Sequence, residues 1–171
     1  MNSPLAHIGW QVPRWLVAVA AVTLLLAHGG SKAESITTFD GAPMQLADLS
    51  ERGQWTVVMF WSTTCHICDH EIPKYADFAR EGGPIKVKGV SVDGARATES
   101  VQRYLTDRNV DYQNYITDPL RLQKDYESSA GESFMGTPTF WLFSPEGKLI
   151  GINPGPLKIA SLKRFVARKT Q

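Results

Sequence analysis

Cys65-His66-Ile67-Cys68 holds the only two cysteines of a 171-residue chain. A bridge between them closes a loop of four residues, and so short a loop constrains an unfolded chain little. The pair is therefore a poor structural staple and reads as a reactive one. Its flanks set its geometry. Trp55-Thr56-Val57-Val58-Met59-Phe60-Trp61 is an apolar run rich in β-formers, Ser62-Thr63-Thr64 is a turn, and Asp69 to Tyr75 reads as helix. A strand feeding a turn and then a helix puts Cys65 at a helix N-terminus. Free N–H groups and the helix dipole stabilise a thiolate there.

The N-terminus differs from the rest. Residues 1–14 carry one charged side chain, Arg14, and Trp15 to Ala27 is a run of thirteen residues without charge. Ser31 and Ala33 then stand at the −3 and −1 positions of a cleavage site after Ala33. A basic residue, a short apolar core and small residues in that order describe a secretory signal peptide over 1–33. The apolar run falls short of the ~20 residues that cross a bilayer, so an uncleaved N-terminal anchor is the second reading. In either case residues 34–171 are expected outside the cytoplasm, as one domain, periplasmic or otherwise exported. The chain has 18 basic and 17 acidic residues, and the leader removes Arg14, Lys32 and no acid, leaving a net charge of −1. That balance offers nothing to nucleic acid.

Along the domain, Ile36 to Ser50 reads as an irregular or hairpin segment turning at Asp40-Gly41. The strand Trp55–Trp61 leads to a helix from Cys65 to Arg80, closed by Gly82-Gly83-Pro84. A second strand follows at Lys86–Val92, a helix at Ala97–Arg108, a short strand at Tyr112–Ile116 and a helix at Leu120–Tyr126. Glu127 to Gly136 reads as a loop before Thr137-Pro138. Strand Thr139–Phe143 then pairs with Lys148–Asn153, and a helix runs from Leu157 to Lys169. Strands alternating with helices indicate an α/β domain with a mixed sheet.

Phe60 to Cys68 with Pro73 five residues on, and Gly136-Thr137-Pro138-Thr139 much later, resemble the thioredoxin superfamily. Phe39-Asp40-Gly41, Leu46 to Leu49, Val90 to Asp93 and Glu71 narrow the resemblance to the TlpA/ResA-type exported thioredoxins, over residues 36–169. The resemblance implies a thioredoxin-like fold: a central mixed sheet flanked by helices, an N-terminal extension and a central αβ insert. It implies a redox-active disulfide in which Cys65 is the exposed nucleophile and Cys68 the buried resolving thiol. Pro138 matches the family's cis-proline, and the backbone of Thr137 would pair with a substrate segment. Glu71 would relay a proton at Cys68. Trp61, Thr64, His66 and Ile67 would flank the site and tune it or touch substrate. The implied activity is disulfide reduction in exported proteins, as in cytochrome c maturation or thiol homeostasis. It uses protein thiol substrates and a membrane or periplasmic electron donor, and no cofactor or metal. A monomer is expected.

Three departures stand out. Thr64 occupies the place before the first cysteine where thioredoxins usually have Trp. Met59 stands where cytosolic thioredoxin buries an Asp, so any carboxylate helping Cys68 must be Glu71. The stretch between Tyr126 and Pro138 also looks longer than usual. His66 has a bounded effect: a thiol pKa lowered from about 8.5 to about 6.5 raises the thiolate fraction at pH 7 from roughly 3% to roughly 75%. Nucleophilicity falls about 6–10-fold over the same interval, so His66 tunes and does not decide.

Two readings from other classes compete. Cys65, His66, Cys68 and His70 are by ligand type able to bind Cu(I) or Zn(II), and a copper metallochaperone would hold Cu(I) through Cys65 and Cys68, although the turn lacks a second ligand pair. A peroxiredoxin-like peroxidase would use Cys65 against peroxide. Lys158, Lys163, Arg164, Arg168 and Lys169 on the last helix read as its solvated face.

Overall fold

The computed structural model describes residues 34–170. The leader expectation falls on residues 1–33 and lies outside the described residues. Among the described residues, seven strands form one sheet: β1 (Ile36–Thr37), β2 (Pro43–Met44), β3 (Trp55–Trp61), β4 (Ile85–Ser91), β5 (Gln113–Thr117), β6 (Thr139–Phe143) and β7 (Leu149–Pro154). Four α-helices flank it among the described residues: α1 (His66–Glu81), α2 (Thr98–Asp107), α3 (Pro119–Ala130) and α4 (Ile159–Lys169).

The sheet order is β2-β1-β5-β4-β3-β6-β7. β3, β4 and β5 run parallel, and the remaining pairings are antiparallel. This is the expected mixed sheet, with the β1–β2 hairpin as the N-terminal extension and α2–β5 as the insert after β4. β3 lies near the middle and is buried at every residue, as its unbroken apolar composition requires. Alternation then sorts its side chains. Trp55, Val57, Met59 and Trp61 pack with Ile72 and Ala76 of α1, Val101 and Leu105 of α2, and Leu162 and Val166 of α4. Val58 and Phe60 point to the other face, against Leu122 and Tyr126 of α3 and Leu46 and Leu49 of a 3-10 turn.

The structure corrects two local expectations. The segment 127–136 is not loop throughout, because α3 continues to Ala130 and ends on Gly131 with φ 72°. That left-handed C-cap is where glycine costs least. The last helix starts at Ile159, two residues after the expected Leu157. Its Lys163 is exposed and pairs with Glu81 of α1 at 2.9 Å.

One glycine is set by its neighbours. A Cβ on Gly89 of β4 would lie 1.9 Å from Asn114 Oδ1 and 3.0 Å from Trp61 Nε1. Those two atoms form a buried hydrogen bond of 3.0 Å, the indole N–H donating. Gly89 thus lets a polar contact cross from β3 to β5 over β4. Gly89→Ala is expected to cost about 3 kcal/mol, combining overpacking with a broken buried hydrogen bond. Chemical denaturation measures it, and a loss below about 1 kcal/mol would mean that the strand shifts to accept the methyl.

Candidate active site

The site assembles where β3 ends. Ser62 to Thr64 leave the sheet, and the Cys65 N–H donates to Ser62 O at 3.1 Å. Cys65 is the N-cap of α1, with φ −87° and ψ 104°, and its Sγ accepts the Cys68 N–H at 3.2 Å. The sulfur therefore does at this helix what a Ser or Asp oxygen usually does. Cys65 and Cys68 are joined in a disulfide with Cα atoms 5.2 Å apart. Cys68 is fully buried in the core and Cys65 is partly exposed. Only Cys65 can be reached by another protein.

The remaining expected residues fall into three groups. Thr64, His66 and Ile67 are exposed beside Cys65, and Ile67 leaves 48% of its surface open. The Thr137–Pro138 peptide bond is cis. The last pair of the β3–β6 ladder is Phe60 with Thr139, so extending that register sets Pro138 across from Trp61 and Thr137 across from Ser62. Sheet pairing thus brings Thr137-Pro138 to the cysteine turn from 70 residues away in sequence. Glu71 is the third group. It is 6% exposed, one helical turn after Cys68, and its Oε1 accepts from Lys74 Nζ at 2.7 Å. Glu71's negative charge, after burial, helps to raise the Tyr75 phenol above its ordinary range.

Trp61 is a correction. As a residue touching substrate it would need open surface, and it has none. Its indole is hydrogen-bonded to Asn114 and stacks on Tyr104, with ring centroids 5.2 Å apart. Trp61 is a wall of the core behind the site. The resemblance gave it as flanking the site, to tune it or touch substrate; the strand's alternation turns it in, which leaves the flank and removes the touch.

Two groups of residues went unassigned in the sequence. Tyr104, stacked on Trp61, donates its hydroxyl to Asp69, the residue after Cys68, and Arg108 Nη2 reaches the same carboxylate at 3.0 Å. The Arg108 guanidinium also lies over the Tyr104 ring, 3.5 Å from its centroid. Tyr104's hydroxyl, and then Arg108's charge, hold Asp69 below the usual carboxylate range. The second group centres on Asp93, just past β4, whose carboxylate collects donors from Ser62, Thr63 and Ser91. Spacing carries no signal for either group, because each joins segments at least 30 residues apart. Among the described residues, no three His, Cys, Asp or Glu side chains gather into a metal site.

Residues 30–152 match the AhpC/TSA family. The chain belongs to that family. It is 28% identical over 131 residues to the thiol-disulfide oxidoreductase ResA of Oceanobacillus iheyensis, covering 74% of this chain and 62% of that relative's length. It is 25% identical over 117 residues to the sporulation thiol-disulfide oxidoreductase A of Bacillus subtilis, covering 68% and 69%. Among solved structures, it is similar to a thioredoxin-family thiol:disulfide interchange protein of Chlorobium tepidum, with a TM-score of 0.61 and 24% identity over 78% of this chain and 90% of that one. StoA of Bacillus subtilis gives 0.58 and 21%, over 77% and 94%. These likenesses show the thioredoxin-like fold, as the sequence motifs led us to expect.

The Asp69 contacts make a pH-dependent tie between α1 and α2. A carboxyl held low when folded stabilises the fold above its unfolded pKa, and this is lost as pH falls through the folded one. Tyr104→Phe should raise the Asp69 pKa and move that loss to higher pH. NMR titration of the Asp69 carboxyl reads the shift directly. An unchanged midpoint would show that Arg108 alone holds the charge.

Proposed function

We propose that this protein is an exported thiol-disulfide oxidoreductase that reduces disulfides in other proteins. The observation that carries the reading is the asymmetry of one disulfide: Cys65 reachable at the start of α1, Cys68 buried one turn later. In the reduced protein the Cys65 thiolate attacks one sulfur of a substrate disulfide, and the other substrate sulfur leaves as a thiolate that takes a proton. Cys68, deprotonated, then attacks Cys65 Sγ, the mixed disulfide breaks, and the second substrate thiol departs. Two electrons have passed to the substrate, and the Cys65–Cys68 bond has formed. A dithiol partner protein restores the reduced pair by the same steps in reverse.

Each further residue has a role in this reading. Glu71 accepts the Cys68 proton, being the carboxylate one turn on that Met59 cannot supply. Thr137, beside Pro138, offers backbone to the substrate segment, while Thr64, His66 and Ile67 form the exposed rim that meets it. The reducing direction rests on the resemblance to the TlpA/ResA type. Export, with residues 1–33 as signal peptide or anchor, rests on the leader pattern. Among the described residues no helix is long and apolar enough to cross a membrane.

Cys65→Ser should abolish reduction of a protein disulfide such as insulin, and Cys68→Ser should accumulate mixed disulfides on Cys65. If the Cys68→Ser protein traps no disulfide-bonded substrate, the oxidoreductase reading fails. A glutathione equilibrium giving about −120 mV, the strongly oxidising end of the known range, would reverse the direction.

Glu71→Gln keeps the size of the side chain and removes its basicity. It should slow the resolving step about a hundredfold, the low end of what general-base assistance supplies. Rapid-quench measurement of mixed-disulfide decay isolates that step, and an unaltered decay rate would remove Glu71 from the mechanism.

A further inference from the structure

Asp93 is the only described carboxylate that reaches the turn between β3 and Cys65 through its side chain. Its Oδ1 accepts the Ser62 hydroxyl at 2.8 Å and the Thr63 hydroxyl at 2.9 Å. Its Oδ2 accepts the Thr63 backbone N–H at 3.0 Å and the Ser91 hydroxyl at 2.6 Å. All four donors point at one carboxylate, and three of them belong to two consecutive residues of the turn. The turn then continues into the cysteine. Ser62 O accepts the Cys65 N–H, and Ser62 Oγ lies 3.0 Å from Thr64 Oγ1 and accepts the Thr64 N–H at 3.2 Å. Apart from the Val92 N–H, which donates to Trp61 O at 2.9 Å, the hydrogen bonds that tie this turn to the end of β4 run through Asp93, and Ser62 passes them on to Thr64 and Cys65.

We infer that Asp93 is a positioning residue for Cys65: it pins Ser62-Thr63 so that the Cys65 sulfur sits in the N-cap place of α1. The inference rests on the oxidoreductase reading for its effect on turnover, but not for its effect on the thiol itself. An N-cap side chain must hold a backbone conformation outside the helix while its acceptor faces the N–H groups of the first turn. For a thiolate that geometry is also the source of its stabilisation, since the dipole's effect fades within one turn. A turn released from Asp93 would let Cys65 rotate off that axis. A serine and a threonine at 62 and 63 bring three donors to one carboxylate, and an ordinary turn needs no such convergence.

Position and charge can be separated, because they act in opposite directions. Asp93's negative charge by itself opposes a nearby thiolate, so removing only the charge lowers the Cys65 pKa or leaves it. Losing the pin removes N-cap stabilisation and raises it. Asp93→Asn keeps an acceptor for Thr63 and Ser62, and the Ser91 hydroxyl can turn to accept from the new amide. Asp93→Ala loses every acceptor. The other charged or titratable groups close to the start of α1 are His66, Cys68, Asp69, His70, Glu71 and Lys74 on the helix, Tyr104 of α2 and Arg108 at its C-cap, and all stay the same in both variants.

The experiment compares wild type, Asp93→Asn and Asp93→Ala as full chains after reduction. It measures the pH midpoint of Cys65 alkylation by iodoacetamide, and kcat and KM for insulin reduction. The Ala variant should show a midpoint about one pH unit above that of the Asn variant. Its kcat/KM should be about tenfold lower, as misplacement of a reacting atom produces, with Asn recovering most of the loss. A Ser62→Ala, Thr63→Val double variant, which leaves Asp93 and the core untouched, should shift the midpoint in the same direction; it is the decisive variant if Asp93→Ala does not fold. Equal midpoints in Ala and Asn, or a double variant like wild type, would overturn the inference. Because alkylation needs no protein substrate, it tests Asp93 even if insulin is not reduced. Absence of reduction in the wild type would count against the proposed function alone.

Discussion

β3 is buried on both faces, and the polar chemistry of this protein begins at the residue where that burial stops. A strand with apolar side chains above and below has no face to give to solvent, so reactive groups can be placed only past its end. Trp61 is the last residue the core accepts. Ser62, one residue on, already has its hydroxyl in a hydrogen bond to a carboxylate. The helix that follows must return over the sheet to cover Met59 and Trp61, and its first turn therefore starts directly above the strand's end. The cysteines occupy that first turn. Cys68 is carried inward with Ile72 and Ala76, while Cys65, at the cap, stays at the surface.

The same constraint brings in the parts that are distant in sequence. Parallel pairing aligns the ends of β3 and β4, with Trp61 opposite Ser91, and so delivers Asp93 beside the turn. Antiparallel pairing brings the start of β6 to the end of β3, and so delivers Thr137-Pro138. α2 packs over the same face and delivers Tyr104 and Arg108 to Asp69. The site is thus built from one contiguous segment and three visits by other elements, each timed by sheet register.

This division explains what the sequence disclosed. The strand, the turn, the helix and the cap position of Cys65 were legible because they are local, carried by β-formers, a Ser-Thr-Thr turn and helical spacing. Thr137-Pro138 was legible only through the family resemblance, since nothing within the dipeptide says what it faces. Trp61 flanks the site but cannot touch substrate, because a motif gives a residue's neighbours along the chain, whereas strand alternation decides its direction; Trp55, Val57 and Met59, on the same face, carried that information. Asp93 and Tyr104 were out of reach for a physical reason. An aspartate after a strand and a tyrosine on a helix are ordinary in those places, and their partners lie 30 and 35 residues away. The end of α3 was placed early because Glu127-Ser128-Ser129 is polar and reads as loop, although it is the exposed end of a helix whose buried side is Leu122 and Tyr126.

Three carboxylates surround the start of α1, which at first sight is a poor setting for a thiolate. Like charges disfavour a second anion in a half-buried site. Each of the three, however, is engaged by its own donors: Asp69 by Tyr104 and Arg108, Glu71 by Lys74, and Asp93 by two hydroxyls of the turn, one backbone N–H and Ser91. Two of these partner sets carry a formal positive charge, so the local sum at Asp69 and Glu71 is close to neutral. Only Asp93 keeps an uncompensated charge, and it is spread over four short hydrogen bonds. Asp69 lies in the first turn and shares the positive end of the helix, but none of the three takes the cap itself. The side-chain acceptor at the cap is Cys65 Sγ, which takes the Cys68 N–H. The cluster does two things at once: it holds the turn and the helix in place with charged, geometrically demanding contacts, and it leaves the cap position to the sulfur. A neutral set of contacts would hold the turn as well, but it would lack the strength that ionised acceptors give to a short loop at the end of a central strand.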